Sequence, residues 1–351
     1  MTLSPTLSSP RFSVGESTAV ITYLDEALPL FCEEIGVLTQ DREHLISTAL
    51  ASAQASVKLM DPKFLSATLA LPLPEARRFW NLIGDTLVSN DSEIAGVQHL
   101  QTALDYCKSG GNVVVVQNHR SGADTLVFET LIRRAFGNDI CASFAYMSGH
   151  AVNLYLLPLM FCAALYRFQI FSVKTMIQGV FGVSPGDMRA QNVRTMRELA
   201  RYAGSGGKIL AYYPEGGRGD HCMKVGEPKT SCIPNLVSEA HNRKLLILPT
   251  YVNGAQSILP AVRGPHEYSE VFVHARKGTA HLNIGKPIPW NAITKLSSEL
   301  LTGSDPWNKK INDTLLTLVA RLGPIEQAGP YNPTLAYNNA LIAPLMEGGL
   351  V

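Results

Sequence analysis

The stretch "VVVVQNHRSGADTLVF", residues 113–128, decides the fold. Four consecutive valines after Asn112 make a short β-branched run, suited to a strand covered on both faces as in a parallel sheet. The run ends in Gln117, Asn118 and His119, and Asp124 stands five places past the histidine. The texture then changes to the spacing of an amphipathic helix, "TLVFETLIRRAFG", with Gly137 as its cap. Sites in open α/β sheets gather beyond the carboxyl ends of the strands, and His119 falls at such an end.

Downstream, strands and helices keep alternating. "DICASFAYM", "KILAYYP" and "LLILPTYVNG" read as strands, while "GDMRAQNVRTMRELARYAG" and "NLVSEAHNRK" read as helices. "EVFVHAR" and "TAHLNIG" close the sheet as neighbours, and "NKKINDTLLTLVARLG" is a terminal helix. Upstream, "AVITYLDEALPLF", "DREHLISTALASAQASVKLM", "PEARRFWNLIGDTLVS" and "SEIAGVQHLQTALDYC" carry apolar residues at helical spacing, with no strand among them. Pro74 fits the first turn of the third helix. The expectation is therefore an α/β protein with a mixed, largely parallel sheet flanked by helices, preceded by a helical bundle. Residues 1–18 are expected as a disordered tail, 19–109 as the N-terminal helical domain and 110–351 as the α/β domain.

Composition narrows the classes. Lys+Arg 30 against Asp+Glu 29 gives no global charge that would attract nucleic acid. Cys32, Cys107, Cys141, Cys162, Cys222 and Cys232 form no CxxC pair, which argues against a zinc site and a disulfide scaffold and suits a reducing compartment. The first residues lack the apolar core of a secretory signal. "AVNLYLLPLMFCAALYRFQIFSV", residues 151–173, is interrupted by Pro158 and stops being apolar at Arg167. A spanning helix needs about 20 apolar residues, so this segment reads as a buried or membrane-touching helix. "GSGGK", residues 204–208, lacks the P-loop spacing and follows a helix instead of preceding one, so it is no phosphate cradle.

A turn through "RSGA" lets the Asp124 carboxylate reach back to an imidazole nitrogen of His119. Such a carboxylate sets the tautomer and stabilises the imidazolium when the other nitrogen takes a proton. Taken alone, the pair also fits a structural histidine and a helix N-cap at Asp124. Further strand ends add to it. "YYPEGGRGD", residues 212–220, sets Glu215, Gly216, Gly217 and Arg218 beyond a strand, where glycines admit close approach and arginine grips phosphate or carboxylate. "FSVKT" offers Lys174, and "LILPTYVNGAQ" ends a strand in Pro249 and a glycine turn. No GxSxG supplies a hydrolase nucleophile.

With these motifs in order, the sequence resembles the glycerolipid acyltransferases that carry a His-four-residues-Asp motif. "NHRSGAD" resembles their first motif, "YPEGGR" their glutamate/serine-glycine-arginine motif, and "LILPTYVNG" with "HLNIGKPI" their final strands. The long helical N-terminal part and the "GGR" form are most similar to the soluble, plastid-type glycerol-3-phosphate 1-acyltransferases. The resemblance implies that His119 is the general base and Asp124 its orienting carboxylate. It implies that Lys174, Arg218, Gly216, Gly217 and Glu215 bind substrate, with no cofactor and no metal. An acyl carrier protein or CoA thioester would be the donor and the sn-1 hydroxyl of glycerol 3-phosphate the acceptor. The implied setting is a plastid stroma or bacterial cytoplasm, with weak peripheral membrane contact and no nucleic-acid partner. Three positions depart from the plastid pattern. Asp220 replaces a second arginine, Thr175 follows Lys174 where a histidine is usual, and Gly149–His150–Ala151 replaces Gly-Asp-Arg. Glu215 is the choice of the branch that acylates 1-acylglycerol 3-phosphate, so that acceptor is the first alternative, and a non-catalytic lipid- or phosphate-binding relative is the second.

Overall fold

A computed structural model describes residues 17–37, 39–57, 59, 67–150, 156–172, 183–218, 222–225, 232–242, 244–260, 274–300 and 306–331. The chain is α/β, and its described residues form nine strands in a mixed, mostly parallel arrangement flanked by helices. They are β1 (Leu69–Ala70), β2 (Glu93–Ala95), β3 (Asn112–Gln117), β4 (Phe144–Gly149), β5 (Tyr166–Ile170), β6 (Ile209–Tyr212), β7 (Leu245–Asn253), β8 (His281–Ile284) and β9 (Ile288–Pro289). The chain divides into two compact units, each built from three stretches of sequence. One comprises residues 1–91, 148–195 and 255–279; the other comprises 92–147, 196–254 and 280–351.

The second unit is the α/β layer. Its strands run in the order β4-β6-β3-β7-β8-β2, with β9 also on β7. The β4–β6, β6–β3, β3–β7 and β8–β2 pairs are parallel, while β7 pairs antiparallel with β8 and β9. All six residues of β3 are buried, as a strand between two parallel neighbours requires. Asn112 opens it by donating from Nδ2 to the Ala203 carbonyl at 3.0 Å and accepting the Lys208 N–H at 3.1 Å, so a buried amide has partners at both ends. Asn118 closes it: its side chain donates to the Val252 carbonyl at 2.9 Å and accepts the Val252 N–H at 2.8 Å. An amide side chain thus copies one more rung of the β3–β7 ladder and frees the main chain to turn. The helix that follows, Asp124–Phe136, starts with an acid and ends with Arg133 and Arg134, matching its dipole at both ends. Gly137 stops it at φ 92°.

The first unit is mainly helical. The helices Ser17–Glu34, Thr39–Val57, Pro74–Leu87 and Leu156–Cys162 surround a core that includes Leu24, Leu28, Leu45, Phe79 and Ile83. Pro74 takes the first helical position, where its missing N–H costs nothing. Ala76, Phe79, Trp80, Ile83 and Leu87 then bury one stripe, with Phe79 tilted against Phe161 at 5.3 Å. Here β1 and β5 form an antiparallel pair.

Several readings of the sequence need correction. "SEIAGVQHLQTALDYC" is not helical throughout: Glu93–Ala95 pair in parallel with His281–Asn283, and the helix begins at Val97. The break is Gly96, at φ 80°, where an added Cβ would lie 2.0 Å from the Ile284 carbonyl oxygen. β1 is a second strand in a part read as strandless, its backbone satisfied by β5. The apolar segment 151–173 holds a short helix, Leu156–Cys162, and then a strand, Tyr166–Ile170, because Leu69–Ala70 offer a ladder that an apolar run cannot announce. "DICASFAYM" begins as a 3₁₀ turn, Asn138–Ser143, before β4. In "EVFVHAR", residues 270–273 lie outside the described residues, and His274–Arg276 form no strand. No helix among the described residues is long and apolar enough to cross a membrane.

Candidate active site

The site is built at the carboxyl ends of β3 and β6, two adjacent parallel strands of one unit. Beyond β3, the turn 119–123 folds back on the first residue of the next helix. His119 Nδ1 lies 3.0 Å from Asp124 Oδ2, and the same oxygen accepts the N–H groups of Arg120 at 2.7 Å and Ser121 at 2.8 Å. Asp124 is fully buried and His119 keeps 23% of its side-chain surface. An ionised carboxylate only accepts, so the shared proton sits on Nδ1 and the Nε2 lone pair faces outward. Nε2 has no hydrogen-bond partner among the described residues. The Ser121 hydroxyl accepts the Ala123 N–H at 3.0 Å and so works inside the turn. Asp124 is the first residue of its helix and not the N-cap; Ala123 takes that place without a side-chain bond.

Beyond β6, Glu215 comes up beneath the histidine. One of its oxygens accepts the His119 N–H at 2.9 Å and the other the Lys224 N–H at 2.9 Å. It is 5% exposed. Burial pushes its carboxyl up to about 7, against the pull of the two amide bonds; nearby Asp124 adds to the rise and Arg120 opposes it. Gly216, at φ 65°, closes the turn with an N–H bond to the Tyr213 carbonyl at 3.0 Å, a backbone conformation that suits glycine. A Cβ on Gly217 would meet nothing within 4 Å, so the chain leaves open space there. Arg218 is half-buried at the end of this turn.

The structure thus brings together His119, Asp124, Glu215, Gly216, Gly217 and Arg218 on two neighbouring strand ends. Lys174, Thr175, Ala151 and Asp220 lie outside the described residues. Glu215, anticipated as a substrate contact, has both oxygens occupied by main-chain amides, and what it offers here is support for two segments at once.

Four residues escaped the sequence reading. The Tyr213 ring stacks on the His119 ring at 4.2 Å and 22°, and its hydroxyl meets Thr125 Oγ1 at 2.5 Å. Tyr213 is the first residue past β6, at a strand end of the kind where such sites gather; that position was the legible signal. Arg120, inside the histidine motif, is buried, and its Nη1 donates to Gln327 Oε1 at 2.5 Å and Tyr251 Oη at 3.4 Å. The Tyr251 hydroxyl donates to the same Gln327 oxygen at 2.8 Å. Gln327 is distant in sequence, and nothing local marks it.

The site has the parts of a base-assisted transfer: an oriented imidazole with an open nitrogen and a cation at the next strand end. Burial pushes the thiols of Cys32, Cys107 and Cys162 up, Cys107 to about 12, so these three are not activated nucleophiles. No group of His, Cys, Asp and Glu among the described residues is arranged to hold a metal ion. Compared with models of known families the chain matches none, and no curated protein matches it.

Proposed function

We propose that the chain is an O-acyltransferase that moves a fatty acyl group from a thioester to the sn-1 hydroxyl of glycerol 3-phosphate. The observation that carries the reading is the His119–Asp124 pair, 3.0 Å apart, with Nε2 open at the end of β3. In the proposed step, Nε2 takes the proton of the acceptor hydroxyl as its oxygen attacks the thioester carbonyl. The C–O bond forms, the C–S bond breaks, and the imidazolium returns the proton to the departing thiolate. Asp124 stabilises the transient imidazolium, an effect that only strengthens as charge develops. Arg218, half-buried past the neighbouring strand end, is the cation for the acceptor phosphate, and the motif resemblance implies Lys174 as a second. The motif resemblance supports acyl-acyl carrier protein or acyl-CoA as donor and a plastid stroma or bacterial cytoplasm as setting, with at most a weak peripheral membrane contact.

The second reading keeps the chemistry and changes the acceptor to 1-acylglycerol 3-phosphate; the glutamate at position 215 favours it. Thiol release from an acyl-acyl-carrier-protein donor, with either acceptor in parallel and His119→Ala as control, tests both. Release with glycerol 3-phosphate alone supports the first reading, and release with the acylated acceptor alone supports the second. Silence with both refutes the enzyme and favours a binding protein.

A further inference from the structure

Among the described residues, the ends of β3 and β6 are poor in available positive charge. Asp124 is fully buried, and Glu215 lies beside it. The buried Arg120 faces these carboxyls and spends Nη1 on Gln327 and Tyr251. A phosphate dianion brought to His119 therefore meets two carboxyl groups and needs cations from outside this cluster. Arg218 is one. Asp220, two places on, is acidic where the resembled enzymes have their second arginine.

The segment 222–225 supplies another. Lys224 is exposed, yet its main chain is held in place: its N–H donates to Glu215 Oε2, while Oε1 of the same carboxyl takes the His119 N–H. The adjacent Met223 is 1% exposed and donates its N–H to the Gln327 carbonyl at 2.9 Å. Two anchors thus set the backbone of residues 223–224 one carboxylate's width from that of the histidine. Only the lysine side chain is left to solvent, with no ion-pair partner among the described residues. A long, three-donor ammonium carried on an anchored stretch of main chain suits an oxygen-rich anion.

We infer that Lys224 is an acceptor-binding residue, gripping the phosphomonoester group whose hydroxyl end His119 activates. The inference rests on the acyltransferase reading above and deepens it. Glu215 then has a physical reason to be there: one carboxyl ties the main chain that carries the base to the main chain that carries a phosphate-binding cation.

The test is isothermal titration of the full chain with glycerol 3-phosphate and with inorganic phosphate, alongside acceptor kinetics, for wild type, Lys224→Ala and Lys224→Arg. A lost charge-assisted contact weakens glycerol 3-phosphate binding and raises the acceptor KM by about 10- to 100-fold, with kcat at saturating acceptor kept within a few-fold. Lys224→Arg restores most of the affinity. Inorganic phosphate competing in wild type and failing to compete in Lys224→Ala supports the phosphate as the group held. Wild-type binding with Lys224→Ala unchanged overturns the inference and leaves the activity standing. Wild type that neither binds glycerol 3-phosphate nor turns over refutes the activity, and the inference falls with it.

Discussion

Glu215→Gln separates the cost of the buried carboxyl from its use. The folded chain holds the Glu215 proton more tightly than the unfolded chain does: burial raises the group from 4.5 to about 7. The stability this confers is complete below pH 4.5, declines as pH rises through the interval, and is gone above about pH 7. A tenfold change in proton affinity corresponds to about 1.4 kcal/mol, so the loss has an upper bound of about 3 kcal/mol. Two opposed effects meet in this group. Amide N–H bonds to both oxygens favour the anion, and removal from water disfavours it; the pKa moves upward because desolvation is the larger. The side-chain amide introduced by the substitution does not titrate, and its NH₂ must face one of the two N–H groups. The check is urea unfolding of both proteins from about pH 4.5 to about pH 8, subtracting the variant from wild type to cancel every other titrating group. The wild-type advantage should shrink steadily with pH and level off above about pH 7. A difference that stays flat, or grows with pH, would refute the dominance of burial and show that the amide bonds outweigh it.

Asp124→Asn removes the negative charge that stabilises the imidazolium, and kcat should fall by about 10²- to 10⁴-fold with the circular dichroism spectrum retained; an unchanged kcat contradicts the dyad. Asn118→Ala leaves the buried Val252 N–H and carbonyl unsatisfied and should cost about 2–4 kcal/mol in denaturant unfolding. A loss under about 0.5 kcal/mol would mean the rung is dispensable. Tyr213→Ala takes away the ring stacked on His119, and kcat should drop by about 3- to 10-fold at near-constant donor and acceptor KM. Tyr213→Phe keeps the stack and should recover most of that loss; equal loss in both variants would assign the effect to the Thr125 bond.

The parts of the fold written in local pattern were legible. The valine run, the helix after Asp124, the Gly137 stop and the strands β6, β7 and β8 all carry their own periodicity or caps. What escaped depends on partners remote in the chain. Glu93–Ala95 sits in a helical-looking stretch and becomes a strand because His281–Asn283 offer hydrogen bonds from far downstream. Tyr166–Ile170 likewise extends an apolar run whose ladder partner, Leu69–Ala70, lies far upstream. The site divides the same way. His119 and Asp124 are linked by a short turn, and their spacing allowed the pair beside a structural histidine and an N-cap, until the further strand ends favoured it. Glu215 was marked by its strand end, but spacing could not reveal that its oxygens hold the main chain of His119 and Lys224. The Arg120–Tyr251–Gln327 cluster joins three distant segments and left no local trace.

The most direct measurement is a single-turnover reaction of acyl-acyl carrier protein with labelled glycerol 3-phosphate, with the lipid product identified, for wild type and His119→Ala. The expected product from wild type is 1-acylglycerol 3-phosphate, formed at a rate lower by about 10²- to 10⁴-fold in the variant, which remains folded. Product formed equally fast by His119→Ala would contradict the base assigned at the end of β3, and no acylated product from wild type would contradict the reaction itself.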